Sequence, residues 1–118
     1  MTRTTPSPES FLPLKPNWFH ILVSLSDQEQ HGYGIMQEVE RQSIGHYKLG
    51  PGTLYDNLQK LLDQGLIIES THESEAESRR RYYRLTALGR KVLAADLRRL
   101  ETAVREARTT MRAKPRRA

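Results

Sequence analysis

The sequence predicts a mainly α-helical domain with one small β-hairpin placed before a long final helix. Three observations carry this. Apolar residues recur at helical spacing in three segments before residue 65. Two β-branched or aromatic runs, LIIEST at 66–71 and RRYYRLT at 80–86, flank the polar segment HESEAESR. From Leu93 to Met111 an apolar position returns every three or four residues. With 118 residues the chain supports a single modest core.

The first helix is expected over about 16–27, opened by Pro16, which a first helical turn tolerates. Trp18, Ile21, Leu22 and Leu25 form its stripe, and Phe19 and Val23 widen it until the helix is apolar nearly all round. Such a helix must be covered on more than one side. In so short a chain a partner subunit is the expected second cover, touching Trp18, Phe19 and Leu22. Asp27–Gln30 reads as a polar connection. A second helix is expected from Gly32 to about Ser43, with Tyr33, Met36 and Val39 at steps of three and Gly45 closing it. A third is expected from Gly50-Pro51-Gly52-Thr53 to Gln64, where Leu54, Leu58, Leu61 and Leu62 make a clean buried face and Gly65 stops it. The two β runs then pair as a hairpin with a long polar loop. Thr86 caps a last helix over about 87–111. The expected organisation is a disordered arm at 1–15, a core domain at 16–86, a dimerisation helix at 87–111 and a disordered basic tail at 112–118. Helix, helix, helix, hairpin, helix is the plan of a winged helix-turn-helix, an α+β fold.

Composition narrows the function classes. There is no cysteine, so disulfides and thiolate chemistry are excluded. No run nears the roughly 18 apolar residues of a membrane span, and the proline-broken N-terminus has no apolar signal region, so a cytoplasmic location is expected. The net charge is +5. Six basic residues against one acid in Arg105–Ala118 account for all of it, leaving 13 basic and 13 acidic residues in 1–104. More telling is Arg79–Lys91, with six basic residues and no acid. His20, His31, His46 and His72 are scattered with no partner at metal-ligand spacing. LGPGT opens a helix that follows a helix, not a strand, so it is no phosphate loop. No enzyme, metal or cofactor is expected.

Opposite its leucines the third helix shows Thr53, Asp56, Asn57, Lys60 and Asp63, with Tyr55 and Gln59 on the flanks. Asn and Gln can bond adenine bidentately, and Lys can reach guanine or phosphate, so this face suits base edges. An ordinary solvated helix face is the alternative. On the second strand Arg81, Tyr83 and Leu85 share one face and Arg80, Tyr82 and Arg84 the other. Leu85 leads into the core, so Tyr83 is expected inside, while Arg80, Tyr82 and Arg84, with Arg79, could grip phosphates without reading sequence. Pairing with Glu73–Glu77 across the hairpin competes for Arg79 and Arg80. Lys48, just before the third helix, is a further candidate.

HGYGIMQEVE at 31–40, LGPGTLYDNLQKLLDQGLI at 49–67 and RRRYYRLTALGRKVL at 79–93 resemble the PadR family of bacterial transcriptional regulators. The resemblance covers about residues 17–110, and the short C-terminal region is similar to the subfamily with a single C-terminal helix. It implies a dimeric repressor on a palindromic operator, with the last helix packed on the partner's first. It also implies, for some members, a small aromatic or otherwise hydrophobic effector near that interface. It places Tyr33 near the DNA backbone; a tyrosine half-buried between helices is the alternative. Glu73, Glu75 and Glu77 at the wing tip depart from what phosphate contact would favour.

Leu93, Leu97, Leu100, Val104, Ala107 and Met111 step by four, three, four, three, four. A helix of about 25 residues spans roughly 37 Å, more than so small a domain can cover, so the seam is expected to meet a second copy. Two-fold symmetry would then set recognition helices about 34 Å apart on successive major grooves. A protein-binding winged helix and a small-molecule sensor are the rival readings.

Overall fold

The computed structural model describes residues 6–73 and 79–113; the loop residues Glu75 and Glu77, the side chains of His72, Glu73 and Arg79, and the tail from 114 lie outside the described residues. The elements run α1 (Pro16–Ser24), β1 (Gln30–His31), α2 (Gly32–Gln42), α3 (Pro51–Asp63), β2 (Ile67–Glu73), β3 (Arg79–Leu85) and α4 (Ala87–Arg112), preceded by a 3₁₀ turn at Pro8–Phe11. Strands β2 and β3 form an antiparallel hairpin in register from Ile67–Leu85 to Glu73–Arg79. The sheet has a third strand where only a polar connection was expected. β1 pairs with β3 through Gln30–Tyr83 and His31–Tyr82, giving the order β1-β3-β2. Two paired residues are too few to leave a periodic signal, which is why this strand is silent in the sequence.

The three helices α1–α3 meet over Ile21, Leu22, Leu25, Ile35, Val39, Leu54, Leu58 and Leu61, and the core continues through Leu66, Ile67 and Tyr83 into Val92 and Leu93 of α4. The leucine face of α3 therefore falls where its spacing puts it. Two assignments to a dimer surface are overturned here. Leu22 is fully buried in this core and Leu93 nearly so, because the first two turns of α4 already lie across α1 and the sheet. Residue 86 is thus no boundary of the core: Val92, Leu93, Ala95 and Asp96 of α4 belong to it.

The expectation of a disordered arm is also corrected for residues 6–15. Leu14 is buried, Phe11 and Leu12 pack on the core, and the 3₁₀ turn lies against α4. The Leu14 N–H points to the buried Asp96 Oδ1 at 3.5 Å, and the same oxygen accepts from Arg99 Nε at 2.7 Å. The order of this segment comes from burial against a helix eighty residues away, which local composition does not report.

Both turns that aim the site close in the same way. After α3, Gly65 adopts φ +77° while the Leu66 N–H reaches Leu61 O at 3.1 Å and the Gly65 N–H reaches Leu62 O at 3.0 Å, a Schellman closure. After α2 the equivalent left-handed residue is Ile44, at φ 53°, with Gly45 N–H on Glu40 O at 2.9 Å. Thr86 then caps α4, its Oγ1 accepting from Gly89 N at 2.9 Å and donating to Gly65 O at 2.7 Å. One hydroxyl so ties the end of α3 to the start of α4 across the base of the wing.

Candidate nucleic-acid interface

The N-terminus of α2, the exposed side of α3 and strand β3 converge on an open recess of about 600 Å³ lined by His31, Gly32, Tyr33, Tyr55, Arg80 and Arg81. Each element contributes for a local reason. His31 ends β1 and caps α2, its Nδ1 accepting from Gly34 N at 3.0 Å, so the first turn of α2 opens into the recess. Tyr55 crosses from α3 to pack its phenol against Gly32, where an added Cβ would collide with it. A side chain at Gly32 would displace the Tyr55 phenol from this wall of the recess. β3 supplies the two guanidinium groups. With two arginines, two tyrosine hydroxyls and a helix N-terminus, and no carboxylate among the described lining residues, the recess is suited to an anion.

Of the residues singled out in the sequence, Tyr33, Tyr55 and Arg80 meet in this recess, and Arg81 joins them. Arg81 shares its strand face with Tyr83, as alternation requires. That face leaves the core one step beyond Tyr83, so Tyr83 is buried and Arg81 exposed. Burial raises the Tyr83 hydroxyl pKa above its usual value, against the opposing pull of a hydrogen bond with the Arg81 side chain. Tyr82 is half-buried with its ring edge-on to His31 at 5.5 Å, so it is a wall of the wing more than a free contact. Tyr33 is 63% exposed, which removes the alternative of a tyrosine sandwiched between helices.

The exposed side of α3 carries Thr53, Tyr55, Asp56, Gln59 and Lys60. Lys60 Nζ lies 3.1 Å from Asp56 Oδ2, and Gln59 Nε2 donates to Asp63 Oδ1 at 2.9 Å. Such exposed pairs are worth at most about 1 kcal/mol, so a ligand can exchange them. Lys48 is exposed ahead of α3, and Arg84 is exposed on β3 opposite Ile68, both outside the recess. Asn57 does not stand on the open face as expected. It is half-buried, its Oδ1 accepting from Trp18 Nε1 at 3.0 Å and its Nδ2 donating to Thr53 O at 2.8 Å. At 100° per residue, position 57 borders the Leu54–Leu58–Leu61 stripe, and α1 covers that border.

Distally, α4 leaves the core. Residues 101–113 are all exposed, Val104 at 50% and Met111 at 84%, and Leu97 is exposed while Leu100 is half-buried. A shallow apolar groove there runs along Leu97, Leu100 and Val104, with Arg105 and Arg108 on its rim. Trp18 and Phe19 on α1 are half-buried, and Ala107 is exposed. Among the described residues no group of His, Asp and Glu is set to hold a metal, and no helix is long and apolar enough to cross a membrane.

Three helices, a three-stranded sheet whose outer hairpin stands beside α3, and a basic recess at their junction define a winged helix-turn-helix regulator. Residues 21–95 match the transcriptional regulator PadR-like family, and the chain belongs to it. That family consists of transcriptional regulators, not enzymes. Transcriptional regulator Rv3488 of Mycobacterium tuberculosis is 39% identical over 87 residues, 74% of this chain and 78% of the relative. Among solved structures, a transcriptional regulator from Clostridium thermocellum superposes with a TM-score of 0.67 at 26% identity, covering 79% of this chain and 87% of the other. Bacillus subtilis PadR, solved in complex with operator DNA, shares the fold with a TM-score of 0.64 at 23% identity, over 89% of this chain and 52% of that one.

Proposed function

We propose that the chain is a sequence-specific double-stranded DNA-binding repressor that acts as a homodimer on a pseudo-palindromic operator. The observation that carries this is the Tyr33–Tyr55–Arg80–Arg81 recess beside the open polar face of α3. The recess and Arg84 would hold backbone phosphates, while Thr53, Gln59 and Lys60 would face base edges in a major groove. Lys48 and Arg79 are further candidates for phosphate contact. Family membership and the operator complex of the Bacillus subtilis relative support the reading.

The distal seam of α4 is the proposed dimer surface, made by Leu97, Leu100, Val104, Ala107 and Met111 of one subunit against Trp18 and Phe19 of the other. Its support is the apolar row that the domain itself leaves uncovered. Repression would follow from occlusion of the promoter, at a cytoplasmic chromosome. A small hydrophobic or aromatic effector would act by changing the angle between the two wings. Trp18, the sole tryptophan, would report such a ligand by quenching.

Titration of a labelled duplex from the upstream promoter region tests the proposal. Salt-sensitive binding that prefers this duplex over scrambled sequence is expected. Arg80→Ala and Arg84→Ala should each weaken binding to all sequences and reduce the salt slope by about 1. Equal, salt-insensitive affinity for both duplexes would refute it.

A further inference from the structure

Trp18 and Asn57 stand 39 residues apart and make a single polar contact between α1 and α3. An indole has only one polar atom, and it can only donate. The Asn57 side chain must therefore turn its oxygen to Trp18, which leaves the nitrogen directed at the Thr53 carbonyl, one turn earlier on α3. Both ends of the amide are engaged and the side chain is half-buried. One N–H and one lone pair stay unused, but the two bonds fix the amide's direction against α1 and back along α3. Yet its helical neighbours on one side are Thr53, Asp56 and Lys60, the open face, and on the other Leu54, Leu58 and Leu61, the buried one.

We infer that Asn57 is a positioning residue that fixes the rotation of α3 on α1 through the Trp18 indole, and does not itself read bases. The leucine stripe holds α3 against the core, but apolar contact is non-directional and tolerates a helix rolling by several degrees. A hydrogen bond to a fixed donor at the edge of the stripe does not. The roll angle sets where Thr53, Gln59 and Lys60 point. Loss of the bond lowers the population of the binding-competent setting and weakens binding by the same factor. The inference rests on α3 being the recognition helix.

The two roles separate experimentally. Trp18→Phe keeps the aromatic packing and removes the donor; Asn57→Leu keeps the shape and removes both bonds. Affinities of wild type, each single variant and the double variant are measured for the preferred duplex and for a panel with one base pair changed at a time. Indole emission is recorded for wild type and Asn57→Leu without DNA. If Asn57 positions α3, each single variant loses roughly three- to tenfold for the preferred duplex, the scale of one net hydrogen bond. The double variant is then no worse than the weaker single, and the indole spectrum of Asn57→Leu shifts in the free protein. Loss of discrimination at one base pair in Asn57→Leu, with Trp18→Phe unaffected, would make Asn57 a base reader and overturn the inference. So would single losses that multiply in the double variant, or wild-type affinity in both. These outcomes all presuppose a wild type that prefers its duplex. A wild type with no preference removes the sequence-specific reading, and the inference with it.

Discussion

Gly89 sits where α4 crosses the backbone at the end of α3. A Cβ at this position would lie 2.9 Å from the Leu66 carbonyl carbon, 3.4 Å from its Cα, and closer still to its oxygen. The obstacle is backbone, so no rotamer change relieves it. The first turn of α4 would have to retreat by on the order of 1 Å to recover an ordinary contact, an overpacking cost of about 1–3 kcal/mol. The retreat also stretches two bonds made at the same spot, Thr86 N to Leu66 O at 3.1 Å and the Thr86 Oγ1 cap on Gly89 N at 2.9 Å, each worth about 1 kcal/mol. Against this, alanine in a helix gains about 1 kcal/mol over glycine.

The net expectation for Gly89→Ala is a loss of about 2 kcal/mol, near 8 °C in Tm for a chain of this size. Gly52, also helical, has nothing within 4 Å of its Cβ position, so Gly52→Ala is the control and should hold or raise Tm. Thermal unfolding of both variants by circular dichroism, at one protein concentration so that any dimer is equally populated, reads the difference. A Gly89→Ala protein as stable as Gly52→Ala would show that α4 does not press on Leu66 as described.

Ile44, 87% exposed and left-handed, loses no burial on replacement, so Ile44→Asn should raise Tm by a few degrees, the relief of about 1 kcal/mol of strain; a lower Tm would mean the side chain has a partner. Tyr83 titrates above its usual range when folded because it is buried, so the unfolded chain loses that proton first. Its contribution is complete below about pH 10 and is lost as pH rises through the folded value, so stability should fall more steeply above pH 10 in wild type than in Tyr83→Phe. If the two slopes match, Tyr83 is not the group responsible. Val104→Glu with Met111→Glu places charges on the exposed seam of α4 and should yield a monomer by analytical ultracentrifugation with an unchanged circular dichroism spectrum; a persistent dimer would put the interface elsewhere.

What the sequence disclosed follows the range of each interaction. The leucine face of α3, the Gly65 stop and the Thr86 cap are set by residues within one turn of one another, and all were legible. The packed 3₁₀ turn was not, because Leu14 is ordered by Asp96. Asn57 looked like a base reader because helical spacing fixes its angle only to the border of a face, and whether a donor waits there depends on Trp18 in another helix. The heptad was extended back to Leu93 because the repeat is the same whether its cover is the partner or the domain itself, and here the domain covers the first step. Arg81 was hidden by its alternation with Tyr83, although three consecutive arginines ahead of two tyrosines were themselves a signal that both strand faces turn basic near the tip.

The carboxylates of α3 bear on how the proposed operator would be distinguished from bulk DNA. Asp56 holds Lys60 at 3.1 Å and Asp63 holds Gln59 at 2.9 Å, so two of the three candidate base-facing side chains are occupied in the free protein. An exposed pair is cheap to break when a base edge replaces it, but on a wrong sequence nothing replaces it and the acid still faces phosphate. Asp56 would then cost little at the operator and weaken binding everywhere else. Asp56→Asn frees the lysine and removes one repulsive charge, whose effect near the Debye length of about 8 Å is about 0.2 kcal/mol after screening. Affinity for scrambled duplex should rise roughly twofold while affinity for the preferred duplex rises less, so their ratio falls. Competition titrations at fixed salt read that ratio directly. An unchanged or larger ratio in Asp56→Asn would mean that the acids of α3 serve the helix alone and take no part in selecting DNA.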